Sequence, residues 1–206
     1  MKIPSMLKNK LIIFVKNEEP GKVKTRLAKS VGDDRALEIY QKLLAYTHEV
    51  TRDLPIEKEV WYSRFIPEND IWSEGTFIKK VQSGANLGER MSGAFQHAFE
   101  KEATKVVIIG SDCAELTSEV IEEAFEKLGT SEFVIGPAQD GGYYLLGMRN
   151  YHPQIFQEIK WSTGSVYKQT IQNMEELSGA TSKLKMLNDV DTIEDWVQVK
   201  NKLEDE

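Results

Sequence analysis

The chain has 206 residues, 40% of them hydrophobic and 29% charged, with a formal net charge of −7. That is enough for one core of ordinary size, since domains run to ~100–200 residues, and a single domain over residues 1–206 is expected. The acidic balance argues against a nucleic-acid or anionic-membrane surface, because both need concentrated positive charge, so any phosphate site must be local. The lone cysteine, Cys113, excludes an intramolecular disulfide, and His48, His97 and His152 lack the spacing of zinc ligands. The apolar run from Leu11 to Val15 is too short for a signal-peptide core or a membrane span, so a cytoplasmic protein without membrane insertion is expected.

In chain order, strand-like and helix-like segments alternate, which favours an α/β layer architecture. Leu11 to Val15 reads as the first strand. Asp33 or Asp34 is placed to cap a helix whose Leu37, Tyr40, Leu44 and Thr47 share one face. Val60 to Tyr62 and Phe77 to Val81 read as strands split by the turn signal Pro67-Glu68-Asn69-Asp70. Met91, Ala94, Phe95, Ala98 and Phe99 form the apolar stripe of a helix leading into the strand Val106-Val107-Ile108-Ile109. Val120, Ile121, Ala124, Phe125 and Leu128 repeat the helical pattern, and Phe133 to Ile135 and Tyr143 to Leu146 are strands around a glycine-rich turn. Thr192-Ile193-Glu194-Asp195 fits a loose capping box ahead of Trp196, Val199 and Leu203.

The most informative stretch is the strand ending in Gly110-Ser111-Asp112-Cys113. In open α/β sheets the crevice beyond the carboxyl ends of such strands is the usual ligand site. Asp112 is there in a position to coordinate a divalent cation and, through it, a diphosphate; the alternative role is that of a helix cap or turn residue. Pro20-Gly21-Lys22-Val23-Lys24-Thr25-Arg26 follows the first strand and gathers three cations in an otherwise acidic chain. Gly21 allows close backbone approach, and Lys24 and Arg26 match phosphate oxygens; the plainer reading is a solvated basic face. The loop is not a nucleotide-triphosphatase P-loop, because the earlier glycine and the hydroxyl after Gly21-Lys22 are missing. Gln82-Ser83-Gly84-Ala85-Asn86-Leu87-Gly88-Glu89-Arg90 offers polar groups to a base or ribose, or is simply a turn. Asp140-Gly141-Gly142-Tyr143-Tyr144 sets a carboxylate beside aromatic rings, a combination suited to hydroxylated ligands, unless it is a plain hairpin turn. Trp161-Ser162-Thr163 is expected to cap the following helix rather than line a pocket. Cys113 has no neighbouring histidine and is not expected to be a nucleophile.

Together these motifs resemble the nucleotide-diphospho-sugar transferase superfamily, in particular the small bacterial arsenosugar biosynthesis glycosyltransferases or selenodomain-associated transferases. The resemblance spans nearly the whole chain and rests on Phe14-Val15-Lys16, Gly21 to Leu27, Gln82-x-Gly84 with Asn86 to Met91, Gly110 to Cys113, Gly136-Pro137-Ala138 with Asp140 to Tyr144, Trp161 to Thr163 and Asp189-Val190-Asp191-Thr192. It implies a GT-A-type fold, a three-layer α/β/α arrangement with a mainly parallel central sheet. It further implies a phosphate clamp in Lys16 and Gly21 to Arg26, with Ser111, Gln82, Gly84, Asn86 and Arg90 as further nucleotide contacts. Asp112 matches the family's metal-binding aspartate, Asp191 is the implied second ligand for magnesium or manganese with Asp189 as competitor, and Asp140, Gly141, Gly142, Tyr143 and Trp161 are implied sugar or acceptor contacts. The catalytic roles that the resemblance implies fall to Asp112, Asp140, Lys24 and Arg26. The chain departs from the family pattern at Ala114, where proline is usual, and at Asn17-Glu18, where an aromatic-proline pair is usual.

The expected partners are therefore a nucleotide sugar or a nucleoside triphosphate and a small-molecule acceptor. Glycosyl transfer leads; nucleotidyl transfer to a phosphorylated acceptor, with release of pyrophosphate, and a non-catalytic nucleotide-binding role are the alternatives.

Overall fold

The computed structural model describes residues 8–204, so positions 1–7 and 205–206 of the expected domain lie outside the described residues. The strands are β1 (Asn9–Val15), β2 (Glu57–Tyr62), β3 (Phe77–Val81), β4 (Lys105–Ile109), β5 (Phe133–Pro137), β6 (Tyr143–Met148) and β7 (Thr181–Lys183). The helices are α1 (Thr25–Val31), α2 (Asp33–Arg52), α3 (Leu87–Glu100), α4 (Ser118–Lys127), α5 (Val166–Glu176) and α6 (Ile193–Glu204), with one 3-10 turn at Pro153–Phe156.

All seven strands join in one sheet in the order β3-β2-β1-β4-β6-β5-β7. β6 alone runs against the others. The sheet is thus mainly parallel, as expected, and both faces are covered. Leu11, Ile13 and Val15 of β1 pack with Tyr40 and Leu44 of α2 and with Ile121 and Phe125 of α4. Ile12, facing the other way, packs with Met91 and Phe95 of α3 and Met174 of α5. Burial on both faces is why β1 and β4 read as unbroken apolar runs instead of alternating ones. A further cluster of Leu27, Ile39, Trp196 and Leu203 ties α1, α2 and α6 together behind the first face.

Two expected caps fall differently. Asp33 and Asp34 lie in the first turn of α2, whose cap position is Gly32; there they face the positive end of the helix dipole. Trp161-Ser162-Thr163 ends before α5, where Ser165 holds the cap position without a side-chain cap bond. The final helix begins as expected: Thr192 Oγ1 accepts from Asp195 N at 3.3 Å, while Asp195 Oδ2 accepts from Thr192 N at 2.8 Å. Among the described residues no helix is long and apolar enough to cross a membrane.

Candidate active site

After β1 the chain steps to β2 and β3 on one side, whereas β4 lies on the other side of β1. The crevice at the carboxyl ends of β1 and β4 is thus a topological switch point, where open α/β sheets bind ligands. A cavity of about 500 Å³ opens there. Lys16 and Lys24 from the loop after β1 and Thr25 and Arg26 from the first turn of α1 line one side, and Asp112, Asp189 and Asp191 lie at the carboxyl end of β4 and on the approach to α6.

Lys24 organises this centre. Its backbone takes a left-handed conformation, φ 46°, at the start of α1, a strained arrangement of the kind that clusters at functional sites. Its ammonium group lies 3.0 Å from Asp112 Oδ1 and 3.4 Å from Asp191 Oδ1, with a side chain only 3% exposed. Burial pulls the Lys24 pKa down, but the charges of Asp112 and Asp191 outweigh it and hold it above the ordinary lysine value. Arg26 Nη1 reaches the other oxygen of Asp191 at 3.2 Å from an exposed position. Asp189 is pushed up to about 7, first by burial and then by the charge of Asp112.

The chain brings residues far apart in sequence to one point by bonds that do not involve the side chains of Asp112, Asp189 or Asp191. Val190 N donates to Asp112 O at 2.9 Å, and Asn188 N donates to Glu115 Oε2 at 2.8 Å. Val190 is buried, so its neighbours Asp189 and Asp191 both turn to the cavity. Where the family usually has proline, the buried Ala114 offers its carbonyl to Lys202 Nζ at 2.9 Å, which fixes that turn by another route. Asn17, at the other departure, donates to Phe65 O at 2.8 Å and accepts from Arg64 N at 3.0 Å, stitching the loop after β1 to the loop after β2.

The opposite wall comes from the β5–β6 turn and the segment before α5. Asp140, Gly142, Tyr143, Trp161, Ser162 and Thr163 line it. Asp140 Oδ1 accepts from Gly142 N at 2.8 Å, so the tight turn between the two antiparallel strands also presents a carboxylate to the cavity. Gly141 has φ 86°, and a side chain there would overlap Gly164; its carbonyl accepts from Tyr167 N at 2.9 Å and locks the turn onto α5. Thr163 Oγ1 donates to Lys160 O at 2.6 Å, shaping the bend that carries Trp161.

The described geometry does not bring the remaining sequence candidates to the cavity lining. Gly21 packs against Asp33, and Lys22 is exposed. Gln82 bridges strand ends by donating to Trp61 O at 2.8 Å and Val15 O at 3.3 Å. Asn86 caps α3 by accepting from Glu89 N at 2.9 Å, and Arg90 Nε donates to Gly84 O at 3.1 Å. Ser111 is buried against the Tyr40 hydroxyl at 3.1 Å. These groups shape the loops around the site. Cys113 is buried and its thiol is pushed up to about 12 by that burial, which leaves it unreactive. Sequence reasoning assigned Ser162 and Thr163 to a cap because a Ser/Thr pair before a helix is the usual cap signal; the left-handed Ser162, φ 62°, is what turns the segment into a wall.

Among the described residues no group of three or more His, Cys, Asp or Glu side chains is arranged to hold a metal ion as it stands. The donor chemistry nevertheless fits a hard cation. Asp112 and Asp191 already converge on one positive charge, and Asp189 is a half-buried carboxyl on which the charges of Asp112, Asp140 and Asp191 act against that of Lys24.

Residues 44–163 match the family described as "Uncharacterized protein conserved in bacteria (DUF2064)". The chain belongs to this family. A protein of Desulfovibrio desulfuricans G20, provisionally named a nucleotide-diphospho-sugar transferase, is 34% identical to this DUF2064 chain, with a TM-score of 0.85 over 95% of this chain and 87% of its own. That relative places the family in the superfamily its motifs resemble. The fold alone is shared with 4-diphosphocytidyl-2C-methyl-D-erythritol synthase from Anaerococcus prevotii DSM 20548, at 11% identity and a TM-score of 0.57 over 95% and 98% of the two chains. It is shared likewise with Rv0371c from Mycobacterium tuberculosis H37Rv in complex with manganese, at 12% identity and a TM-score of 0.52 over 93% and 97%. A comparison with curated proteins finds no match.

Proposed function

We propose that this DUF2064 protein is an enzyme, a transferase that uses a nucleotide-activated donor and moves a glycosyl group from a nucleotide-diphospho-sugar to a small-molecule acceptor. The observation that carries this reading is one cavity with two chemically different walls: Lys16, Lys24 and Arg26 on one side, Asp140, Tyr143 and Trp161 on the other. The first wall suits a diphosphate, with Arg26 as a planar fork and Lys24 as a point charge. The second suits a sugar, whose hydroxyls donate to Asp140 while a ring face packs on Tyr143 or Trp161. In the reaction an acceptor hydroxyl oxygen bonds to the anomeric carbon and its proton passes to the departing diphosphate, as the bond from that carbon to the diphosphate breaks with its electrons leaving on the nucleoside diphosphate.

Magnesium or manganese would be held by Asp112 and Asp191, with Asp189 beside them. Such an ion, when bound, neutralises charge on the departing diphosphate. A fold neighbour crystallised with manganese supports this reading. Lys24 and Arg26 stabilise the same leaving group from the chain itself.

Nucleotidyl transfer, joining a nucleoside triphosphate to a phosphorylated acceptor, is the second reading. The paired cations Lys24 and Arg26 favour it, as does the fold shared with a diphosphocytidyl-methylerythritol synthase. Product analysis separates the readings. Release of a nucleoside diphosphate from a nucleotide sugar supports glycosyl transfer, release of pyrophosphate from a nucleoside triphosphate supports nucleotidyl transfer, and nucleotide binding without either product refutes both.

A further inference from the structure

Behind Trp161 lies a second cavity, of about 480 Å³, between the exposed face of α3 and the segment that runs from the 3-10 turn to Trp161. Trp161 lines both cavities. A Cβ at Gly88 would overlap the Trp161 ring, so the indole lies flush on the backbone at the start of α3, where Leu87 lines the first cavity and Gly88 the second. The two chambers differ in charge. The first carries Lys16, Lys24 and Arg26. Among the described residues lining the second there is no Lys, Arg or His, and its ionisable groups are Glu89 and Glu158. Glu89 is committed to the cap of α3, accepting from Ala85 N at 2.8 Å and from the Asn86 amide at 2.9 Å. An anionic group would therefore enter without a partner and against negative charge. The other polar side chains of the second chamber include Ser92, whose hydroxyl shares a 2.8 Å bond with the Tyr151 hydroxyl, Gln96, whose amide nitrogen donates to Glu100 at 2.9 Å and leaves its carbonyl to accept, and Gln157, beside the apolar Phe156, Ile159 and Trp161.

We propose that this second cavity is the acceptor site of the transferase, and that it takes an uncharged polyhydroxylated compound with one apolar face, of the glycoside or polyol class. Such a compound gives and accepts hydrogen bonds along the amide and hydroxyl rim and lays its C–H face on aromatic rings. The assignment rests on the glycosyl-transfer reading and sharpens it, because the nucleotidyl alternative needs a phosphorylated acceptor that this chamber disfavours.

Gly93 provides the test. It is exposed and lies on the α3 wall, and a Cβ there meets the Ser83 carbonyl oxygen no closer than 3.9 Å, so Gly93→Phe adds bulk to that wall without a clash at its Cβ. Gln96→Trp, on the same exposed face, is an independent occluder. Saturation-transfer NMR would follow methyl β-D-glucopyranoside against glucose 6-phosphate and glucosamine, with nucleotide-sugar binding in manganese measured separately on the same proteins. The neutral glucoside should bind saturably in preference to both charged sugars and lose affinity by about tenfold or more in either variant, while nucleotide-sugar binding is unchanged. Absence of nucleotide-sugar binding by the wild type would refute the reading of the first cavity, yet leave the glucoside measurement intact. Preference for the phosphate or the amine, undiminished glucoside binding in both variants, or no saturable binding by the neutral probe overturns the acceptor-site proposal.

Discussion

Lys24 and Arg26 share a loop and a charge, but their environments separate their roles. Lys24 is buried between two carboxylates, whereas Arg26 is 63% exposed and pairs with Asp191 from the surface. Lys24→Ala should therefore lower stability by about 1–3 kcal/mol, short of the ~3–5 kcal/mol for breaking a fully buried pair, because both carboxylates are about a third exposed. Arg26→Ala should leave the denaturation midpoint within about 0.5 kcal/mol of wild type, as expected for an exposed pair, yet weaken nucleotide binding by roughly 1.5–3 kcal/mol. Equal stability losses in the two variants would contradict this division. Asp112→Asn, isosteric but uncharged, should cut turnover on the order of a thousandfold, about 4 kcal/mol; near-normal turnover by the folded variant would return Asp112 to a turn-forming role. Asp191→Ala should raise the metal concentration for half-maximal activity more than Asp189→Ala does, and the opposite order would transfer the ligand role by two positions. The basic loop and Asp112 were visible in the sequence because charges gathered in an acidic chain stand out. Their pairing was not, since it links the start of α1 to residues after β4 and before α6.

At the level of elements, the approach to α6 shows how a local motif serves a distant site. Asp195 Oδ2 accepts not only from Thr192 N but also from Asp191 N at 3.1 Å, so the capping box fixes the backbone that carries Asp191. Asp195→Ala should cost about 0.5–2 kcal/mol, the range for a lost cap, and should also weaken metal activation; a stability loss with unaltered metal response would confine Asp195 to the helix. The α3–Trp161 contact offers a second check. Gly88→Ala forces the indole off the helix and should destabilise the protein by about 1–3 kcal/mol, the usual cost of overpacking, with a change in tryptophan fluorescence. The capping box was readable because its partners are three residues apart. The resemblance implied Trp161, but that Ser162 and Thr163 join it in the wall was not readable, because a left-handed residue and the approach of α3 redirect a segment whose composition alone signals a helix start.

For the whole molecule, two histidines link stability to pH. Burial first, then the positive charge of Arg52, lowers the pKa of His48, which packs on Trp72 and Phe77 at centroid distances of 5.5 and 5.4 Å. Burial, then Lys80, lowers that of His97, whose ring nitrogen lies 2.7 Å from Lys80 Nζ. With the folded-state values below the ordinary one of about 6.5, the unfolded chain takes up protons first as pH falls. The stability due to these groups is thus fully present above that value and is lost as pH falls through the folded pKa values. The melting temperature of wild type should fall more steeply between pH 7 and 5 than that of the His48→Gln/His97→Gln variant; parallel slopes would show that neither ring senses pH.

By itself the sequence determined the α/β class, the strands that lie deep in the sheet, the final helix with its cap and the superfamily, because each is encoded in short-range periodicity, capping chemistry or contiguous motifs. It also placed Asp112 at a strand end, since a run buried on both faces must emerge into the crevice with whatever residue follows it. Tertiary structure alone decided that Lys24 is held between Asp112 and Asp191. It likewise decided that desolvation and the charge of Asp112 hold Asp189 near 7, and that Trp161 lines both chambers. Charge pairing, desolvation and cavity shape depend on distances between segments far apart in the chain. No spacing rule fixes those distances before the sheet has assembled and its loops have closed over the strand ends.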